Sequence, residues 1–247
     1  MFFDNKVFFR RLTFMNMRIT TLLFSLGLFT ASVQAGVIVG GTRIVYNGSA
    51  REVSLSVKNA DKSPYLIQAW ADDNGADGKV KSANKPPFVA TPPLFRLDEG
   101  TENLIRIIRT GGDFPQDRES VYWMNIKSIP SVARNNDKNV LQISVKTRIK
   151  LFYRPDGIQS PTEDDFNKVS FKRSQGKVEV INPTPYYISF YTLKVGGVLL
   201  DTTNVMVPPK ASATYNYAGG KSSSDKVAWQ FINDYGGNSK VIWSQLR

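Results

Sequence analysis

An all-β fold of two successive β-sandwiches is what this sequence predicts, and three observations predict it. Apolar and polar residues alternate in a series of short segments; Gly, Pro, Asn, Asp and Ser clusters punctuate them; and no stretch has a convincing helical period. With 13 prolines, 18 glycines and 12% aromatics over 247 residues, the composition fits a β-rich chain of one or two domains.

The first series runs from Gly36 to Pro155. Val37 to Tyr46 reads as one strand, followed by an Asn47-Gly48-Ser49 turn and by Arg51 to Lys58, whose Val53, Leu55 and Val57 point inward. Tyr65 to Ala71, Pro87 to Leu97, Leu104 to Arg109 and Val121 to Ile129 follow, and a seventh strand starts at Val140. Seven strands over about 120 residues, with turn signals between them, suggest a sandwich of immunoglobulin type.

The seventh strand alternates for longer than a strand needs to. Leu141, Ile143, Val145, Thr147, Ile149 and Leu151 fall on one face, and Gln142, Ser144, Lys146, Arg148 and Lys150 on the other. Eleven residues at about 3.3 Å each span roughly 36 Å, about twice the usual strand, so part of it overhangs its own sheet. A clean apolar row on an overhanging strand is an aggregation hazard that proteins blunt or cover. Leaving it in place implies that another chain completes it; the alternative is that the row packs only on this protein's own core.

Asp156-Gly157-Ile158-Gln159-Ser160-Pro161 is a turn-rich connection that divides the chain into domains 36–156 and 157–247. The second series is shorter and looser: Val169 to Lys172, Lys177 to Asn182, Tyr187 to Lys194, Val205 to Val207, Ser212 to Tyr217, Lys226 to Ile232 and Val241 to Gln245. Joining the two sandwiches at the end of the long strand places Arg154-Pro155 at an elbow.

Residues 1–35 read as a secretory signal peptide. Lys6, Arg10, Arg11 and Arg18 precede an apolar run from Ile19 to Thr30, and Val33-Gln34-Ala35 supplies small residues for cleavage before Gly36. The run is too short for membrane insertion, and Met15 and Met17 are alternative starts. Without the leader, 28 basic and 20 acidic residues remain, a formal charge of +8. The charges are scattered rather than clustered, which reads as a solvated surface and not a nucleic-acid footprint.

The chain has no histidine and no cysteine. That excludes Ser-His-Asp and Cys-His nucleophiles, His/Cys zinc sites, redox dithiols and disulfides. No spacing argues for carboxylate or Ser-Lys chemistry, so no enzyme, cofactor or metal is expected. Gly220-Lys221-Ser222 imitates the end of a P-loop, but Tyr215 stands where a glycine is needed. One rival reading is an exported carbohydrate-binding sandwich that stacks sugars on Trp70, Trp123, Trp229 or Trp243, although aromatic residues within strands are more often core. Another is a pilus subunit, which lacks its own final strand, whereas the first domain here has a long one.

Several motifs, in order, resemble the periplasmic pilus-assembly chaperones of the chaperone–usher pathway. They are Gly36-Val37, Gly41-Thr42-Arg43 and Val45-Tyr46; Thr91-Pro92-Pro93-Leu94-Phe95; Pro115-Gln116-Asp117-Arg118-Glu119-Ser120; and Trp123-Met124-Asn125 with Ile129-Pro130. Arg148-Ile149-Lys150-Leu151-Phe152-Tyr153-Arg154-Pro155, Asn182-Pro183-Thr184-Pro185-Tyr186-Tyr187 and Ile232-Asn233-Asp234-Tyr235-Gly236 complete the set. The short Met124 to Val140 interval and the absence of cysteines resemble the short-loop branch.

The resemblance implies two immunoglobulin-like domains in an L or boomerang arrangement. It also implies a periplasmic, ATP-independent chaperone that binds, folds and caps pilus or fimbrial subunits and delivers them to an outer-membrane usher. In such proteins the long strand completes the subunit's unfinished sandwich, here with Leu141, Ile143 and Val145. Arg43 and Lys150 resemble the pair that grips the subunit's C-terminal carboxylate; without the motif each is an ordinary surface charge. Glu119, Arg154 and Asp234 resemble the ionic trio that sets the elbow, the plain alternative being three unrelated charges. Pro92 and Pro93 resemble a proline pair on the usher-facing side, or simply bend a strand. Self-association of the free protein through its bare strand is a further expectation.

Overall fold

The computed structural model describes residues 36–79, 85–131, 141–217 and 224–247. The leader read over residues 1–35, Val140 and Gly220-Lys221-Ser222 lie outside them. The described chain carries two hydrophobic cores, each between two sheets.

In the first sandwich, β1 (Val37–Val39), β3 (Glu52–Asn59), β7 (Glu102–Arg109) and β5 (Phe88–Thr91) pair in the order β1-β3-β7-β5. The facing sheet is β2 (Arg43–Asn47), β9 (Val145–Arg154), β8 (Ser120–Pro130), β4 (Tyr65–Asp72) and β6 (Leu94–Leu97), in the order β2-β9-β8-β4-β6. All these pairings are antiparallel except β2 with β9, which is parallel. Alternate residues of both sheets fill the space between them: Leu55 and Val57, Ile67 and Ala69, Ile105 and Ile107, Met124 and Ile126, Ile149 and Leu151. At one end the rings of Tyr46, Phe88, Phe114, Tyr122 and Tyr153 cluster with centroids 3.9 to 6.3 Å apart. Burying each large apolar side chain contributes about 1.5–3 kcal/mol, so this core rests on many such residues.

Two segments expected as single strands are each two strands in different sheets. Val37 to Tyr46 divides at Gly40-Gly41: β1 joins β3, and β2 crosses to β9. Gly40 donates its N–H to Ser56 O at 2.8 Å, and a Cβ there would collide with the Ser56 side chain. A larger residue there would have to displace the Ser56 hydroxyl. Pro87 to Leu97 divides at Pro92-Pro93, β5 pairing with β7 and β6 with β4. The core-facing positions change parity at each crossing, from Val37 and Val39 to Ile44 and Tyr46 and from Phe88 and Ala90 to Phe95 and Leu97, and with only two such residues on either side a pattern reading runs the segments together.

The long strand also differs from expectation. Its ladder covers Val145–Arg154 rather than starting at Val140, which lies outside the described residues, and Leu141 to Ser144 run on without strand pairing. The last matched pair is Ser128↔Val145. Two residues further, β8 ends at Pro130, which has no N–H to offer a ladder.

The second sandwich pairs β10 (Ser170–Ser174), β11 (Lys177–Asn182) and β14 (Ala211–Asn216) in one sheet. The other is β13 (Val198–Leu199), β12 (Phe190–Val195), β15 (Lys226–Phe231) and β16 (Ile242–Gln245), in the order β13-β12-β15-β16. Trp229 lies at the centre, fully buried against Phe171 and Phe190, its indole N–H donating to Ser244 Oγ at 3.1 Å. The strand expected from Tyr187 begins only at Phe190, and Val205 to Val207 contributes a single bridge, Ile188↔Val207. The two-residue β13 and the one-turn helix α1 (Glu163–Phe166) were not expected. A single turn is too short to show a helical period. Thr162 donates its N–H to the Asp165 carboxylate at 2.9 Å to start it, and Phe166 is buried against Phe231.

Candidate functional site

β9 has one edge that changes along its length. β8 pairs with it from Val145 to Tyr153, whereas β2 covers the opposite edge only from Lys150 to Arg154. From Val145 to Ile149 no strand among the described residues pairs that second edge. The apolar row divides within that open stretch. Ile149 and Leu151 are 5% and 0% exposed, while Val145, Ile143 and Leu141 are 54%, 67% and 85% exposed. One alternating segment therefore carries both core residues and a bare hydrophobic row beside unsatisfied backbone.

At the boundary between the covered and open edges stand two cations. The parallel register sets Arg43 directly beside Lys150. The Lys150 ammonium donates to Ser189 Oγ at 2.9 Å, and Arg43 Nη1 donates to the carbonyl of Ile232 at 2.7 Å, both acceptors belonging to the second sandwich. Arg43 Nε is buried with no hydrogen-bond partner, and the guanidinium lies 5.6 Å from the Phe152 ring centroid. Neither cation is in an ion pair among the described residues. Burial pushes Lys150 down to about 8, and the adjacent Arg43 charge adds to it. Burial also lowers Arg43, against the pull of Asp234 and Glu119. Two partly desolvated, adjacent positive charges and an N–H without a partner leave this spot short of negative charge.

Next to it the structure brings Glu119, Arg154 and Asp234 together. Arg154 donates from Nε and Nη2 to Glu119 Oε1 at 2.9 and 2.7 Å, and from Nη1 and Nη2 to the two Asp234 oxygens at 2.8 and 3.0 Å. The Tyr187 N–H donates to Glu119 Oε2 at 2.8 Å. Burial raises the Glu119 carboxyl, opposed by Arg154 and by the Tyr187 N–H. Burial also works against the Arg154 charge, but the bonds to Asp234 and Glu119 outweigh it and hold the guanidinium above its ordinary value. Glu119 and Arg154 lie in the first sandwich and Asp234 follows β15 in the second, so this network ties one to the other. The Asn233–Gly237 turn approaches Thr42, just before β2: Gly236 has φ 82°, and a Cβ there would stand 2.6 Å from Thr42 Oγ1.

Several contacts had no signal in the sequence. Lys210 donates to Asp117 at 2.6 Å, and the Glu119 N–H donates to the Pro185 carbonyl at 2.9 Å, two further ties between the sandwiches. Arg148, on the same face of β9 as Lys150, makes a two-pronged pair with Asp72 at 2.6 and 2.8 Å, bonds Asn125 Oδ1 at 2.8 Å and lies over the Trp123 ring. Alternation places Arg148 on that face, but nothing local names Asp72 as its partner.

Pro92 and Pro93 stand at the crossing from β5 to β6, away from this cluster, with Leu94 exposed beside them. Trp123 and Trp229 are buried, Trp70 is half-buried, and Trp243 on β16 is 69% exposed. The described residues hold no group of three acidic side chains able to bind a metal and no helix long and apolar enough to cross a membrane.

Comparison with known proteins bears directly on this geometry. Residues 36–159 match the family described as pili and flagellar-assembly chaperone, PapD N-terminal domain, and residues 164–242 match the pili assembly chaperone PapD, C-terminal domain. The chain is 43% identical over 231 residues to the chaperone protein FocC of Escherichia coli, covering 92% of this chain and 98% of that one. It is 38% identical over 218 residues to the chaperone protein FimC of Escherichia coli, covering 87% and 86%. Among solved structures, the chaperone DraB of Escherichia coli superposes with a TM-score of 0.74 at 39% identity, over 86% of this chain and 97% of that one. The SafB chaperone of Salmonella enterica, solved in complex with the SafA pilin, gives 0.74 at 33% identity, over 87% and 99%. The two family matches together span well over half of the chain, and the chain belongs to the PapD-like pili assembly chaperone family.

Proposed function

We propose that this protein binds, folds and caps pilus or fimbrial subunits by lending them β9, then delivers them to an outer-membrane usher. One observation carries the reading: an unpaired edge from Val145 to Ile149, which continues the exposed row of Leu141, Ile143 and Val145, ends at two half-buried cations that have no acidic partner among the described residues. A strand added there gains backbone hydrogen bonds that tolerate sequence variation, and the apolar row supplies fit. The terminal carboxylate of the guest fits beside Arg43 and Lys150 and fixes the register, since a one-residue slip turns every side chain to the wrong face. The SafB complex with its pilin supports a subunit as the guest. The protein acts by binding alone, with no bond made or broken and no nucleotide, and release draws on the subunit's own folding.

The Glu119–Arg154–Asp234 network sets the angle between domains 36–156 and 157–247. The basic, apolar leader over residues 1–35 directs the chain to the periplasm, with Gly36 first in the mature protein. Pro92, Pro93 and the exposed Leu94 form a surface for the usher.

Ile143→Asp tests the lent strand. Ile143 is 67% exposed, so the variant should melt as the parent does while its yield of co-purified subunit falls by at least tenfold, the cost of a charge in an apolar pocket. The control Ile149→Asp, at a position 5% exposed, should unfold the domain. Equal subunit yields from Ile143→Asp and wild type would remove the strand from the mechanism.

The anchor also predicts a pH dependence. Lys150 titrates at about 8 in the chain alone, and a bound carboxylate raises that value, so capture takes up a proton and affinity falls as pH rises through about 8. The chain itself responds oppositely. Between about 8 and the ordinary 10.5 the unfolded state binds more protons at Lys150, so this residue makes folding more favourable as pH rises. A capture profile flat across that range counts against Lys150 in the anchor.

A further inference from the structure

Lys127 on β8 and Lys146 on β9 stand directly opposite each other in the antiparallel ladder. Like charges in that position repel. Lys127 is half-buried and Lys146 exposed, neither takes part in an ion pair among the described residues, and the next side chain across the sheet is the neutral Gln68 on β4. Other arginines of the same strand face are matched: Arg148 by Asp72 and Asn125, and Arg154 by Glu119 and Asp234. Among the described residues, the unmatched cations of this face are therefore those of the anchor and this pair.

Position gives the pair a meaning beyond solvation. Lys146 lies within the open stretch of β9, on the same face as Lys150 and four residues before it, about 13 Å along the strand. A guest strand whose C-terminal end sits beside Arg43 and Lys150 and whose body covers the open edge must run parallel to β9. Neighbouring strands project level side chains to the same face. The guest side chain beside Lys146 is then the fourth before its last residue.

We propose that Lys127 and Lys146 select among subunits, favouring those with an aspartate or glutamate four residues before the C-terminal residue and rejecting those with a lysine or arginine there. An acidic side chain relieves the repulsion between the two ammonium groups; a basic one adds a third positive charge. This inference rests on the subunit-capture reading above and adds to it a charge rule for the partner.

The test uses fluorescently labelled synthetic peptides of alternating valine and threonine with a free C-terminal carboxylate, carrying Glu, Gln or Lys at that position. Fluorescence anisotropy at low ionic strength should rank them Glu, Gln, Lys, with roughly a tenfold spread that shrinks in high salt. Lys146→Glu should invert the order and Lys146→Gln should compress it; both sit at an exposed position and should melt as wild type does. The same ranking in wild type and Lys146→Glu, or no ranking in wild type while the carboxylate still matters, overturns the selective pair alone. C-terminally amidated peptides separate the two ideas: if amidation leaves binding unchanged, the carboxylate anchor fails, whatever the ranking.

Discussion

Replacing Arg43 or Lys150 with alanine is expected to abolish subunit capture while leaving both sandwiches folded. In the proposed anchor each cation makes charge-assisted hydrogen bonds to the guest carboxylate, worth about 1.5–3 kcal/mol apiece, so one substitution should lower affinity by roughly 10- to 150-fold. The loss is larger in practice than one contact implies, because an unanchored strand can slip in register along β9. Folding should suffer little. The two cations lie side by side, each is lowered by burial, and neither is in an ion pair among the described residues, so removing one also relieves repulsion. Against this stand one bond to Ser189 and one to the Ile232 carbonyl. The net change in stability should stay within about 1 kcal/mol, measurable by urea unfolding. Retained co-purification of subunits by both variants would remove the anchor from the mechanism; a collapse of stability would make the pair structural instead.

Arg154→Ala should have the largest effect on the protein itself. It strands Glu119, whose side chain is 3% exposed and already raised by burial, without its principal partner. Breaking a buried pair by removing one member costs about 3–5 kcal/mol because a buried charge is left uncompensated. The sign of the pH response follows from Glu119. Its carboxyl titrates above the ordinary 4.5 in the folded chain, so the folded state holds the proton more tightly and stability from this group falls as pH rises through that window. The deficit of Arg154→Ala should therefore be greatest at neutral pH and narrow on acidification. Arg154→Met combined with Glu119→Gln should recover much of it, since the stranded charge is gone. Urea unfolding of the parent, the single variant and the pair across mildly acidic pH checks all three statements; a deficit independent of pH and unrelieved by the pair would mean that packing, not charge, holds the junction.

Period-two alternation was enough to read most strands, both sandwich cores and the exceptional length of the segment around β9, because the pleat sends successive side chains to opposite faces. The same pattern could not say where the chain leaves one sheet for another. At Gly40-Gly41 and Pro92-Pro93 the core-facing positions change parity along with the partner strand, a shift too brief to stand out within short segments, and a one-turn helix such as α1 has no period to show. Arg43, Lys150, Glu119, Arg154 and Asp234 came from motif resemblance, not from spacing; in isolation each is one more surface charge.

The local code determined that Leu141, Ile143, Val145, Ile149 and Leu151 share one face of one strand. Only the folded chain decided that Ile149 and Leu151 become core while Leu141, Ile143 and Val145 stay bare, because that depends on how far the space between the two sheets extends along β9. It also decided that Arg43 stands beside Lys150, residues 107 positions apart in the chain but paired in one parallel ladder, and that Arg154 meets carboxylates from both sandwiches. Side-chain alternation is a property of neighbours in sequence, whereas strand coverage and ion pairing arise between segments brought together only when the hydrophobic cores close.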